Sequence, residues 1–120
     1  MADFQNPIDF ETFTRVDLRV GTITAAEVHP DADRLLKLQL DDGSDEGRQI
    51  CAGVRAWYAD PSALVGTQVV FVANLEPRTI RGEISQGMVL ASTAAGDGDD
   101  VQDVCVLRTD RPVPAGSRVS

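Results

Sequence analysis

The chain has 120 residues, enough for one domain with a core of its own and no covalent staples. Apolar residues make up 42 % and charged residues 25 %, the balance of a folded globular protein and not of a disordered one. Nineteen Asp plus Glu stand against eleven Lys plus Arg, and the formal charge of -8 weighs against a nonspecific nucleic-acid coat or an anionic membrane as partner.

In chain order, MADFQNPIDFE has no basic stretch leading into an apolar one, so no secretory signal is expected. Pro7 followed by Phe10 and Phe13 predicts a short helix with both aromatics on one face. Val16, Leu18 and Val20 alternate with Asp17, Arg19 and Gly21, which predicts a long strand from Val16 to Val28. His29-Pro30-Asp31-Ala32-Asp33-Arg34 is a loop. Leu36, Leu38 and Leu40 then alternate with Lys37 and Gln39 in a second strand with one wet face. Asp41 to Gly47 is turn chemistry and predicts a hairpin into a third strand, Arg48 to Val54. Short helical turns are expected over Val54 to Tyr58 and Pro61 to Val65, then a buried strand over Val69 to Ala73. Gln86 to Ser92 and Val104 to Leu107 read as further strands, and the small, acidic stretch Thr93 to Asp103 as an exposed loop. No run is apolar for long enough to cross a membrane. Strands with one small helical element between the third and fourth follow the order of an OB-fold, one of several small β-barrels that fit.

Two features of composition stand out. One lysine, Lys37, accompanies ten arginines, and fourteen aspartates outnumber five glutamates. Such a balance suits a salt-rich cytoplasm, where self-repulsion is screened; a high-GC genome also favours Arg over Lys. Cys51 and Cys105 lie far apart with no CxxC, and are read as small buried hydrophobes in a reducing compartment.

Catalytic patterns are absent. The single His29 has no accompanying nucleophile elbow, and neither GxxxxGKS nor GxGxxG occurs. His29, Asp31 and Asp33 offer three ligands at alternating spacing, but a tight turn with an Asx cap accounts for them and is preferred. No enzyme, cofactor or metal is expected. Arg34 and Lys37 bring positive charge to the start of the second strand. Asn74 to Ser92 carries Arg78 and Arg81 ahead of Ser85-Gln86-Gly87-Met88. Ser85 and Gln86 have the donors and acceptors that a base edge or a 2′-hydroxyl requires, and Met88 has a soft apolar face. The alternative is structural: Met88 in the core, Ser85 and Gln86 capping a turn, and the arginines paired with Glu76 and Glu83. By chemistry alone the structural alternative is favoured.

Four segments taken together, VDLRVGTI, HPDADRLLKL, RQICAGV and VVFVANLEPRTIRGEISQGMVLAS, resemble one family, with DRPVPAGSRV similar to its closing segment. It is the tRNA-binding OB domain attached to bacterial and archaeal methionyl-tRNA synthetases, which also occurs as a free-standing dimeric tRNA-binding protein. Related domains form the endothelial monocyte-activating polypeptide and the CsaA-type export chaperones. The resemblance implies an all-β fold, a five-stranded OB barrel with a short helix between strands 3 and 4, filling residues 1–120 as one domain. Residues 1–15 would be an N-terminal helical extension and 93–120 a C-terminal one. It implies a structure-specific tRNA-binding protein, free-standing or a trans partner of methionyl-tRNA synthetase, with a CsaA-like chaperone for unfolded preproteins as the alternative. The implied RNA-facing residues are Arg34, Lys37, Asn74, Arg78, Arg81, Ser85, Gln86 and Met88, and the implied homodimer would use Phe10 and Phe13. The cytoplasm is the expected location, and neither DNA nor a membrane is an expected partner. Arg34 stands where the family usually has lysine, and Glu76 where lysine is common.

Overall fold

Leu36, Leu38 and Leu40 are almost fully buried while the intervening Lys37 and Gln39 lie half-buried on the outer face, as strand alternation requires. In the computed structural model, which describes residues 3–98 and 100–120, they form β2 (Leu36–Asp41). Met1 and Ala2 of the expected N-terminal extension and Asp99 of the expected acidic loop lie outside the described residues. The remaining strands are β1 (Leu18–Val28), β3 (Arg48–Ala52), β4 (Gln68–Val72), β5 (Arg78–Ile80), β6 (Glu83–Ser85), β7 (Met88–Val89), β8 (Ala91–Ala95), β9 (Val101–Val106) and β10 (Arg118–Val119). One helical turn, α1 (Phe10–Phe13), precedes them, with Asp9 accepting from the Thr12 amide at 2.7 Å.

The strands pair in the order β3-β2-β1-β4-β7, all antiparallel, as a nearly closed five-stranded barrel of the OB type. β1 is long because it serves three neighbours. Its first residues pair with β4 and β10, its last with β2, and a register shift between Ile23 and Ala25 bends it from one to the other. Inside, Ile23, the three leucines, Ile50, Leu64, Val69 and Phe71 form a continuous apolar core. Two 3₁₀ turns, Arg55–Trp57 and Pro61–Leu64, link β3 to β4 where the sequence places helical turns. Asp60 caps the second from its side chain, Pro61 opens it, and Leu64 plugs the core.

Three local expectations are corrected. Much of Thr93 to Asp103 is not loop: β8 and β9 form a hairpin whose β8 is exposed along its whole length, so no buried face wrote an alternation into the sequence. Cys51 is half-buried and Cys105 exposed, so neither is a core residue. Met88 is 50 % exposed and does not fill the core.

Candidate nucleic-acid interface

Two loops flank the outer face of β2 and β3, which is the position OB barrels use for oligonucleotides. The first, residues 29–35, is closed by the His29 amide on the Leu35 carbonyl at 3.0 Å and the Leu35 amide on the Ala32 carbonyl at 3.2 Å. The second contains the β5–β6 hairpin, turned by Arg81 and Gly82 with φ of 47° and 85°. Both angles are positive, as a two-residue turn that matches strand twist demands. Arg34 from the first loop and Arg81 from the second line one cleft of about 300 Å³ together with Asp31, Asp33 and Leu35. Among the described residues no carboxylate lies within ion-pair distance of Arg34, Arg78 or Arg81.

Lys37, between these loops, is engaged. Its ammonium reaches Glu27 at 3.0 Å and Glu83 at 3.1 Å. Those two carboxylates, Glu27 first, hold the Lys37 pKa above its ordinary value. Glu83 in turn is lowered, by its hydrogen bonds from Lys37 and then from Gln49. Gln49 also donates to the Ile84 carbonyl at 2.9 Å, so the second loop is fastened to the barrel wall.

Ser85 and Gln86 close the barrel. The Gln86 amide donates to the Gln49 carbonyl at 2.7 Å, and the Gln49 amide returns to the Gln86 side-chain oxygen at 3.0 Å. The Cys51 amide donates to the Ser85 hydroxyl at 3.0 Å, and that hydroxyl donates to the Gly87 carbonyl at 3.2 Å. Side chains thus complete a ladder between β3 and the start of β7 that backbone alone leaves open. Gly87 has φ +132°, and a Cβ there would stand 2.6 Å from the Val72 carbonyl oxygen, so this seam admits only glycine.

Arg48 locks the same seam. Its guanidinium donates to the carbonyls of Ala73 and Gln86 at 3.0 and 2.9 Å, reaches Asp42 at 2.9 Å, and lies 4.8 Å from the centre of the Phe71 ring. Burial alone would raise the Asp42 carboxyl, but the bonds from Ser44 and Arg48 outweigh it and bring it down to about 2.

The remaining expected site residues lie elsewhere. Asn74 accepts from the Asp17 amide at 2.9 Å and donates to the Arg15 carbonyl at 2.7 Å, tying the N-terminal segment to the barrel. Met88, with Thr12, Val16, Val72 and Leu75, lines an apolar groove of about 560 Å³ below that segment. Phe10 and Phe13 project from α1, which buries none of its residues. His29, read from sequence as part of a turn, is in that turn but only 1 % exposed. Asp31 and Asp33 stay exposed, and no group of three potential metal ligands gathers among the described residues. Arg48 and Gln49 stood in RQICAGV with no role assigned; a charged residue beginning a strand was the available signal.

Residues 18–118 match a family model described as "Putative tRNA binding domain". The chain belongs to this family. Among relatives of this tRNA-binding domain, the methionine–tRNA ligase of Rhodopirellula baltica is 49 % identical over 112 residues, 93 % of this chain and 16 % of that protein. The chain spans 13 % to 16 % of the length of the curated relatives it matches. In three dimensions the domain is similar to a MetRS-related protein from Pyrococcus horikoshii, with TM-score 0.83 and 31 % identity over 97 % of this chain and all (100 %) of that one. It is also similar to the chaperone CsaA from Bacillus anthracis, with TM-score 0.79 and 31 % identity over 96 % of this chain and 100 % of the other.

Proposed function

We propose that this domain binds tRNA by its folded shape, in the cytoplasm, as a homodimer and as a helper of methionyl-tRNA synthetase. The observation that carries the reading is the set of unpaired guanidiniums, Arg34, Arg78 and Arg81, on the loops beside the β2–β3 face of a chain that otherwise carries excess negative charge. Guanidiniums match phosphate oxygens with two parallel donors each. Lys37 takes part only by exchanging a carboxylate for a phosphate. Ser85 and Gln86 act by holding the second loop in place, Asn74 by anchoring the N-terminal segment, and Met88 by offering apolar contact at the groove. Stacking is not part of the reading: among the described residues Phe71 is buried in the core, and Trp57 and Tyr58 lie in the link after β3.

The test is a filter-binding titration with total tRNA, double-stranded DNA and an unstructured RNA of equal length. Preferential retention of tRNA is expected, and Arg34→Gln with Arg81→Gln should weaken it by about tenfold or more, the worth of two charge-assisted contacts. Equal retention of the three nucleic acids, or an unaffected double variant, refutes the reading. The apolar groove at Met88 favours a second reading, a CsaA-like holder of unfolded chains. That activity would suppress aggregation of an unrelated unfolding protein with RNA absent.

A further inference from the structure

Arg81 has φ +47°, a left-handed conformation in which an arginine is strained. Asn or Gly would turn the same hairpin freely, so a guanidinium is kept at this position against the backbone's preference. Strain of that kind points to function when the side chain has a task, and here it shares a cleft with Arg34 from the opposite loop.

His29 sits at the base of both loops, buried. Its Nδ1 accepts from the Asp31 amide at 3.0 Å. An amide is always a donor, so the ring proton resides on Nε2, which donates to the Ile80 carbonyl at 2.9 Å. Ile80 directly precedes Arg81, and Asp31 lies in the same closed turn as Arg34. One ring therefore fixes the spacing between the loops that carry the two arginines. Asp31 and Asp33 line the same cleft and oppose a bound anion, so the attraction has to come from the two guanidiniums.

We propose that His29 is a positioning residue that holds Arg34 and Arg81 as a preformed clamp for one phosphate of the RNA backbone. The proposal rests on the tRNA-binding reading for its ligand. Its physical content is preorganisation: the loops are ordered before phosphate arrives, so binding does not bear the cost of ordering them.

The experiment follows the arginine Nε–Hε resonances during titration with inorganic phosphate at constant ionic strength, beside tRNA filter binding. In the unaltered protein Arg34 and Arg81 should shift together along one isotherm. His29→Asn keeps an acceptor where Nδ1 stands and removes the link to Ile80; it should weaken both phosphate and tRNA binding by about tenfold with Trp57 emission unchanged. In an Arg34→Gln, Arg81→Gln background the same change should alter tRNA affinity less than about twofold, because its effect runs through those two side chains. Arg81→Asn should raise the urea midpoint while abolishing the phosphate response of Arg34. An equal loss from His29→Asn in both backgrounds, or arginines that shift separately or not at all, overturns the clamp. If phosphate moves both arginines together but tRNA is not retained, the clamp stands and the tRNA reading falls.

Discussion

Asp42 and Arg48 show at the level of single residues how the barrel is shut. Asp42 is buried to 6 % side-chain exposure and its carboxyl titrates at about 2 against an ordinary 3.8. A carboxylate lowered in the folded state stabilises the fold above its unfolded value and loses that contribution as pH falls through the folded one. The window therefore runs from about pH 4 to about pH 2, and the lost contribution is about 2 kcal/mol. Asp42→Asn should accordingly lower the urea midpoint at pH 7, and the gap to the unaltered protein should close near pH 2. A gap of the same size at both pH values would show that the ion pair is not its source. DDGSDEG was legible as turn chemistry, and the turn is there. That one of its aspartates reaches the far side of the hairpin to hold a guanidinium under Gln86 depended on which way β3 faces. The Ser85-Gln86-Gly87-Met88 segment was legible as a motif through its resemblance to a family, and in the structure its side chains sew the barrel shut. Its sequence alone did not distinguish polar groups offered to RNA from polar groups engaged with Cys51 and Gln49.

Among the elements, strands with one buried face were readable and elements without one were not. β2 and β4 carry unambiguous alternation or apolar runs because the core dictates every second residue or both faces. The β8–β9 hairpin has almost no buried side chains, and its alanines and aspartates carried a loop's signature. α1 has the opposite problem. Phe10 and Phe13 put two aromatics on one face of a helix too short to bury them, and Phe4, Ile8 and Phe10 are 92, 66 and 79 % exposed. Exposed large apolar side chains along an N-terminal segment want a cover, and the proposed homodimer supplies one, each patch being used twice under two-fold symmetry. Light scattering coupled to size exclusion should give about twice 12.9 kDa, and removing residues 1–13 should shift it toward the single-chain mass. A single-chain mass for the intact protein at micromolar concentration would rule the dimer out.

At the scale of the whole molecule the charge of -8 is distributed unevenly. Among the described residues Asp17, Glu27, Asp42 and Glu83 make ion pairs, while the acidic tip at Asp41, Asp45 and Glu46 faces solvent with none. Molar salt shortens the screening length to about 3 Å and removes most of that repulsion. Folding stability should therefore rise from dilute to molar potassium chloride, followed by Trp57 fluorescence during urea titration. With three unpaired arginines and Lys37 at the proposed face, the log–log salt slope of tRNA affinity should be no steeper than about −3 for each protomer engaged, at roughly −0.7 per contact. A much steeper slope would mean that phosphate contacts extend well beyond these loops. By itself the sequence determined the barrel and its family, because burial on one face stamps a two-residue period on the chain and four motifs kept their order. The tertiary structure alone decided which polar residues are already engaged within the fold. Hydrogen bonds between residues dozens of positions apart consume Ser85, Gln86, Asn74 and Lys37, leave Arg34, Arg78 and Arg81 open, and set His29 between the two loops, and no local pattern records such long-range pairing.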